Sequence, residues 1–183
     1  MMSLEVCSGI QFKREMELQQ MLDYSGMIKK IEHRRGWKRA LVLIGKWLPI
    51  LEILLYLGTS VALTVHRSQK LRLFLAVPAF CLVAVTVIRA RINRTRPYDA
   101  LGYAPLLPKE SGKGESFPSR HTASAWVIAM AYWYLSPVYG GLMLAAAVLV
   151  GVTRVLTGVH YLSDVLVGAG FALLCSLLFL LPV

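Results

Sequence analysis

"GLMLAAAVLVGVTRVLTGVHYLSDVLVGAGFALLCSLLFLL", residues 141–181, decides the fold. Two long apolar runs flank twelve residues, TRVLTGVHYLSD (153–164), which carry Arg154, His160 and Asp164. Charged side chains at membrane depth are costly and mark function. The flanking runs approach the roughly 20 apolar residues that a helix needs to cross a bilayer. The polar stretch between them then lies at the membrane surface, where one span turns into the next. Lipid offers no partner to backbone N–H and C=O groups, so an open chain crosses only as helices.

Working outward, the apolar runs read as spans over Leu41–Val65, Leu71–Ile88, about His121–Leu135, Val138–Leu156 and about Tyr161–Leu181. The first contains Pro49, a kink site, and Glu52, the one acid well inside a span. With 56% hydrophobic residues and a mean hydropathy of +0.57 over 183 residues, the chain is too apolar for an ordinary soluble domain. The expectation is an all-α polytopic membrane bundle of about five transmembrane helices, residues 41–183, in the cell membrane. Residues 1–40 differ. In FKREMELQQMLDYSGMIKKIEHRRGWKR (12–39), Met16, Leu18, Met21, Leu22, Met27, Ile28 and Ile31 recur at helical spacing. This predicts an amphipathic helix on the membrane surface, its basic cluster Lys29–Arg39 near lipid headgroups. No signal peptide is expected, because the first apolar run begins near residue 41, behind charge. Cys7, Cys81 and Cys175 suggest no disulfide framework; the latter two lie in apolar runs and read as packing residues.

The net charge of +10 is concentrated. Arg89, Arg91, Arg94 and Arg96 follow the second span, and Lys109, Lys113 and Arg120 lie in the next loop. At the mouth of a membrane bundle this favours an anionic ligand over nucleic acid. Loops separated by two spans emerge on the same side, so three clusters can converge: RARINRTRP (89–97), FPSRHT (117–122) and TRVLTGVHYLSD (153–164). Together they offer Arg89, Arg96, Arg120 and Arg154 as cations, and Ser119 and Thr153 as hydroxyls. The guanidinium fork matches phosphate. Ser119 can cap the helix that follows, aiming backbone N–H groups at an anion.

His160 and Asp164 are four apart, on one face if helical. A carboxylate that accepts from one imidazole nitrogen fixes the tautomer and frees the other nitrogen to attack. His121 can protonate the leaving oxygen. The set suffices for hydrolysis through a phosphohistidine. Zinc held by two histidines and an aspartate is the rival, but four nearby arginines repel a cation.

These motifs resemble the type 2 phosphatidic acid phosphatase superfamily, which also contains vanadium haloperoxidases and glucose-6-phosphatase. The family pattern runs Lys, six residues, Arg-Pro; then Pro-Ser-Gly-His; then Ser-Arg, five residues, His, three residues, Asp. Here Arg89 stands for Lys and Arg96-Pro97 match. PSRH carries Arg120 where Gly is usual. Thr153 stands for Ser, while Arg154, His160 and Asp164 match. The resemblance implies a metal- and cofactor-independent phosphatase acting on a lipid phosphate or diphosphate: phosphatidylglycerol phosphate, phosphatidic acid or polyprenyl diphosphate. It implies phosphate held by Arg89, Arg96, Ser119, Arg154 and the backbone N–H of Arg120, with His121 as general acid, His160 as nucleophile and Asp164 as its orienting partner. Arg120 would add a contact to a second anionic group or to Glu110 or Glu115. Arg91 and Arg94 match no fixed position and read as headgroup contacts. The loop 98–116, with Leu106 and Leu107, would dip into the interface. The alternatives are a vanadate-dependent haloperoxidase and a non-catalytic lipid-phosphate binding or transport protein.

Overall fold

The structure, a computed structural model, describes residues 24–109 and 114–181. Helix α1 occupies 24–33, and α2 (Arg35–Val65) follows after a one-residue break. Then come α3 (Leu71–Ile92), the single turn α4 (Pro97–Ala100), α5 (Arg120–Leu135), α6 (Pro137–Leu156) and α7 (Leu162–Ser176), which ends in a 3₁₀ turn, Leu177–Leu180. The amphipathic segment expected over 1–40 lies outside the described residues up to residue 23.

The expected all-α bundle is present. Four of its helices, α2, α3, α6 and α7 with its 3₁₀ turn, are long and apolar enough to cross a membrane. They point large apolar residues outward, such as Leu54 and Leu57 on α2, Leu142 on α6, and Leu166 and Leu174 on α7. The chain is an integral membrane protein. The fifth, α5, is the short one at 16 residues, and it is the centre of the bundle. It packs on α2, α3, α6 and α7. Its Ala123, Ala125, Ala129 and Ala131 are buried, because small side chains allow neighbours close on several faces. Gly140 on α6 lies so close to α5 that a Cβ there would come within 2.4 Å of Trp133 Cα. Cys81 and Cys175 are buried free thiols, as expected.

The helix ends set the functional face. Arg89 and Arg91 extend α3 past the apolar run, where cations complement the dipole of a C-terminus. Asn93 caps it in the left-handed region, at φ 44°. The N-termini of α5 and α7 and the C-termini of α3 and α6 therefore meet at one end of the bundle.

Candidate active site

The segment 114–119 is the hub. Arg89 Nη1 donates to the Pro118 carbonyl at 3.1 Å. Arg96 Nε donates to the Gly114 carbonyl at 3.2 Å. Ser116 Oγ donates to Asp164 Oδ2 at 2.6 Å. Ser119 N–H donates to the Asp164 carbonyl at 2.9 Å. The first and third motifs thus grip the second from two sides. Gly168, nearly two turns into α7, makes this possible: a Cβ there would stand 2.8 Å from the Ser119 carbonyl oxygen.

Ser119 is the N-cap of α5, as the sequence predicts, and its Oγ accepts from the Thr122 N–H at 3.5 Å and from Thr122 Oγ1 at 3.0 Å. Arg120 begins the helix, so its backbone N–H lies in the first turn, where N–H groups have no intrahelical partner. Arg154, at the end of α6, donates from Nη2 to the Gly45 carbonyl of α2 at 2.8 Å. Arg89, Arg96 and Arg154 are all buried. Burying three guanidinium groups at one end of a bundle builds strong positive potential.

His160 and Asp164 meet, but not as neighbours on a helix. His160 precedes α7, Tyr161 is the N-cap, and Asp164 is the third helical residue, accepting the Tyr161 N–H at 3.0 Å. This is half of a capping box, and it folds the carboxylate back toward the imidazole. His160 Nδ1 lies 3.5 Å from Asp164 Oδ2 and 3.4 Å from Ser116 Oγ. Both residues are fully buried.

Two contributors have no sequence signal. Arg94, expected at the headgroups, instead pairs with Asp164 Oδ1 at 2.8 Å, donates to Ser163 Oγ, and lies 4.1 Å over the Tyr161 ring. Ser116 completes the grip on the carboxylate. Nothing in the spacing of four arginines says which one reaches a residue 70 positions away. The Arg120 side chain is exposed, and Glu115 lies 4.0 Å from Arg89 Nη2; Glu110 is outside the described residues. Leu107 is buried with Tyr98 and Val159 rather than set in the interface. Its loop is tied down where Leu106 N–H donates to the Thr157 carbonyl and Tyr103 donates to the Gly158 carbonyl. Burial raises the Tyr103 phenol above its ordinary range, so it remains a neutral donor. From α1, the Tyr24 hydroxyl accepts the Leu162 N–H at 3.3 Å, so α1 covers the site loop.

His121, in the first turn of α5, is half-buried and lines a cavity of about 320 Å³ between α2, α3 and α5. Among the described residues, no three His, Cys, Asp or Glu side chains gather as metal ligands.

Fold and site define an integral membrane helical bundle with three buried arginines gathered at the end that holds a buried His–Asp pair. A family model described as the PAP2 superfamily matches residues 69–182, and the chain belongs to that superfamily. Among curated relatives, the chain is similar to the lipid A 1-phosphatase of Rhizobium johnstonii, 35% identical over 104 residues, which are 54% of this chain and 42% of that one. It is similar to that of Rhizobium etli, 31% identical over 150 residues, 72% of this chain and 63% of that one. The aligned part is thus less than two thirds of either relative. Two solved structures share the fold. Aquifex aeolicus LpxE has a TM-score of 0.57 at 24% identity, over 78% of this chain and 93% of that one. The PAP2-type phosphatidylglycerolphosphate phosphatase of Bacillus subtilis has a TM-score of 0.56 at 22% identity, over 89% and 93%.

Proposed function

We propose that the protein is a metal-independent lipid phosphatase of the cell membrane, working through a phosphohistidine. One observation carries this reading: a buried histidine held by an aspartate at the point where three arginine-bearing motifs meet at the membrane face of a helical bundle. In this reading Arg89, Arg96, Arg154, Ser119 and the Arg120 N–H hold the phosphate. His160 Nε2 attacks phosphorus while Nδ1 donates to Asp164, which stabilises the imidazolium as it forms. The phosphorus–oxygen bond to the lipid breaks, and His121 delivers a proton to the departing oxygen. Water then attacks the phosphohistidine, His121 takes its proton, and inorganic phosphate leaves. Arginines supply the charge stabilisation that a metal ion supplies elsewhere.

The substrate class is a phosphorylated membrane lipid, and the basic segment ahead of residue 41 lies along the headgroups. Phosphatidylglycerol phosphate, phosphatidic acid and polyprenyl diphosphate are candidates, and the lipid A 1-phosphatase relatives add the phosphate of lipid A. The test is phosphate release by the purified protein in detergent, from a panel of these lipids, with and without EDTA. Turnover that survives EDTA and is blocked by orthovanadate is expected, because vanadate bonded to His160 imitates the transition state. Failure to release phosphate from any lipid, or a strict need for a divalent ion, overturns the reading.

A further inference from the structure

Glu52, the acid inside the first span, has no role in the chemistry above. It is 3% exposed, and among the described residues its Oε1 has no hydrogen-bond partner. Buried polar atoms ordinarily have partners, and an exception asks for one from outside the fold. Glu52 lines the same cavity as His121, together with Leu82 and Thr86 of α3 and Arg120 and Ser124 of α5.

Position gives the cavity its meaning. Helix α2 reaches the anion site at Gly45, whose carbonyl accepts from Arg154. Glu52 is seven residues further on, about 10 Å deeper and nearly two full turns, hence on the same face. Side chains tilt toward the N-terminus of their helix, so the Glu52 carboxyl leans back toward the anion site. A lipid whose phosphate sits among the arginines and whose leaving oxygen meets His121 would lay its next few backbone atoms in this cavity.

We propose that the cavity is a specificity subsite for lipid phosphates that carry a hydrogen-bond donor, a hydroxyl or an amide N–H, on the backbone a few bonds from the scissile phosphate. Glu52 Oε1 accepts from that donor. A lipid without it leaves the carboxyl unpaired in a desolvated pocket, and such a site discriminates strongly against an analogue lacking the donor. This inference rests on the phosphatase reading.

The experiment compares ceramide 1-phosphate, which has both donors, with phosphatidic acid, whose backbone has neither, at matched chain length in detergent. The wild-type protein should favour ceramide 1-phosphate in kcat/KM by about 10-fold or more. Glu52→Leu should bring the ratio near one, chiefly through loss on ceramide 1-phosphate. Glu52→Gln, which keeps an acceptor oxygen, should retain most of the preference. A structural acid would lower both substrates together and leave the ratio alone, so an unchanged ratio in Glu52→Leu overturns the subsite. A wild-type protein that shows no preference overturns it without any variant. A wild-type protein that turns over neither these lipids nor any other brings down the phosphatase reading and this inference with it.

Discussion

The two histidines of the site stand in opposite surroundings. His160 is fully buried, and the carboxylate beside it is gripped by Arg94, Ser116 and the Tyr161 N–H. His121 is half-buried on the wall of an open cavity. This contrast fits the proposed mechanism: a nucleophile must attack along one line in one tautomer, which many contacts would hold, and a general acid must meet a leaving group whose attached lipid fills space, which a cavity would admit.

If that contrast is right, variants on the two sides should fail differently. The largest effect belongs to His160→Ala, which should bring phosphate release to background. Asp164→Asn should cost less, up to ~10⁴-fold in kcat, because the imidazole stays in place with the wrong tautomer favoured. Wild-type-like turnover by His160→Ala would sink the nucleophile assignment. Next comes His121→Ala. Loss of a general acid should slow lipid substrates by ~10²–10⁴-fold. The loss on p-nitrophenyl phosphate should be far smaller, because its phenolate departs without a proton. Equal losses on both substrates would mean that His121 is not the acid.

The rigid side can be loosened more gently. Arg94→Ala removes a partly exposed cation from a buried carboxylate. It should lower kcat by about 10-fold with little change in KM, since a bond to a charged group contributes ~1.5–3 kcal/mol and exposure discounts it. A change confined to KM would instead place Arg94 at the headgroup, as the sequence alone suggested. The smallest effect is expected on the open side. Arg120→Gly restores the residue usual in the family motif, and because the side chain is exposed it should shift the ratio of diphosphate to monophosphate lipid turnover by no more than about 10-fold. Identical kinetics on every lipid would show that the Arg120 side chain touches no substrate.

Much of this was legible before any fold was seen. Apolar run length announced helices, because lipid leaves the backbone no other solution. The parity of the spans put the three motifs on one side, and Ser119 reads as an N-cap from its place before the short third span. The departures have local causes. Helix α3 outruns its apolar stretch by one turn because arginines suit a helix C-terminus. His160 stands outside α7, and a capping interaction rather than helical spacing brings it to Asp164.

By itself, then, the chain's order of residues determined that it crosses a membrane as a helical bundle and that its motifs face one side, and it supplies the arginines on which the proposal of an anionic ligand rests. Those are properties of composition, run length and parity, and they need no knowledge of which side chain touches which. Tertiary structure alone decided that Arg94 and Ser116 serve Asp164, that Leu107 is buried, that α5 is the hub, and that Glu52 and His121 share a cavity. Each of those is a contact between residues far apart in sequence. Such a contact is set by how closely helices approach, at Gly168 against the Ser119 carbonyl for instance, and no local pattern encodes that distance.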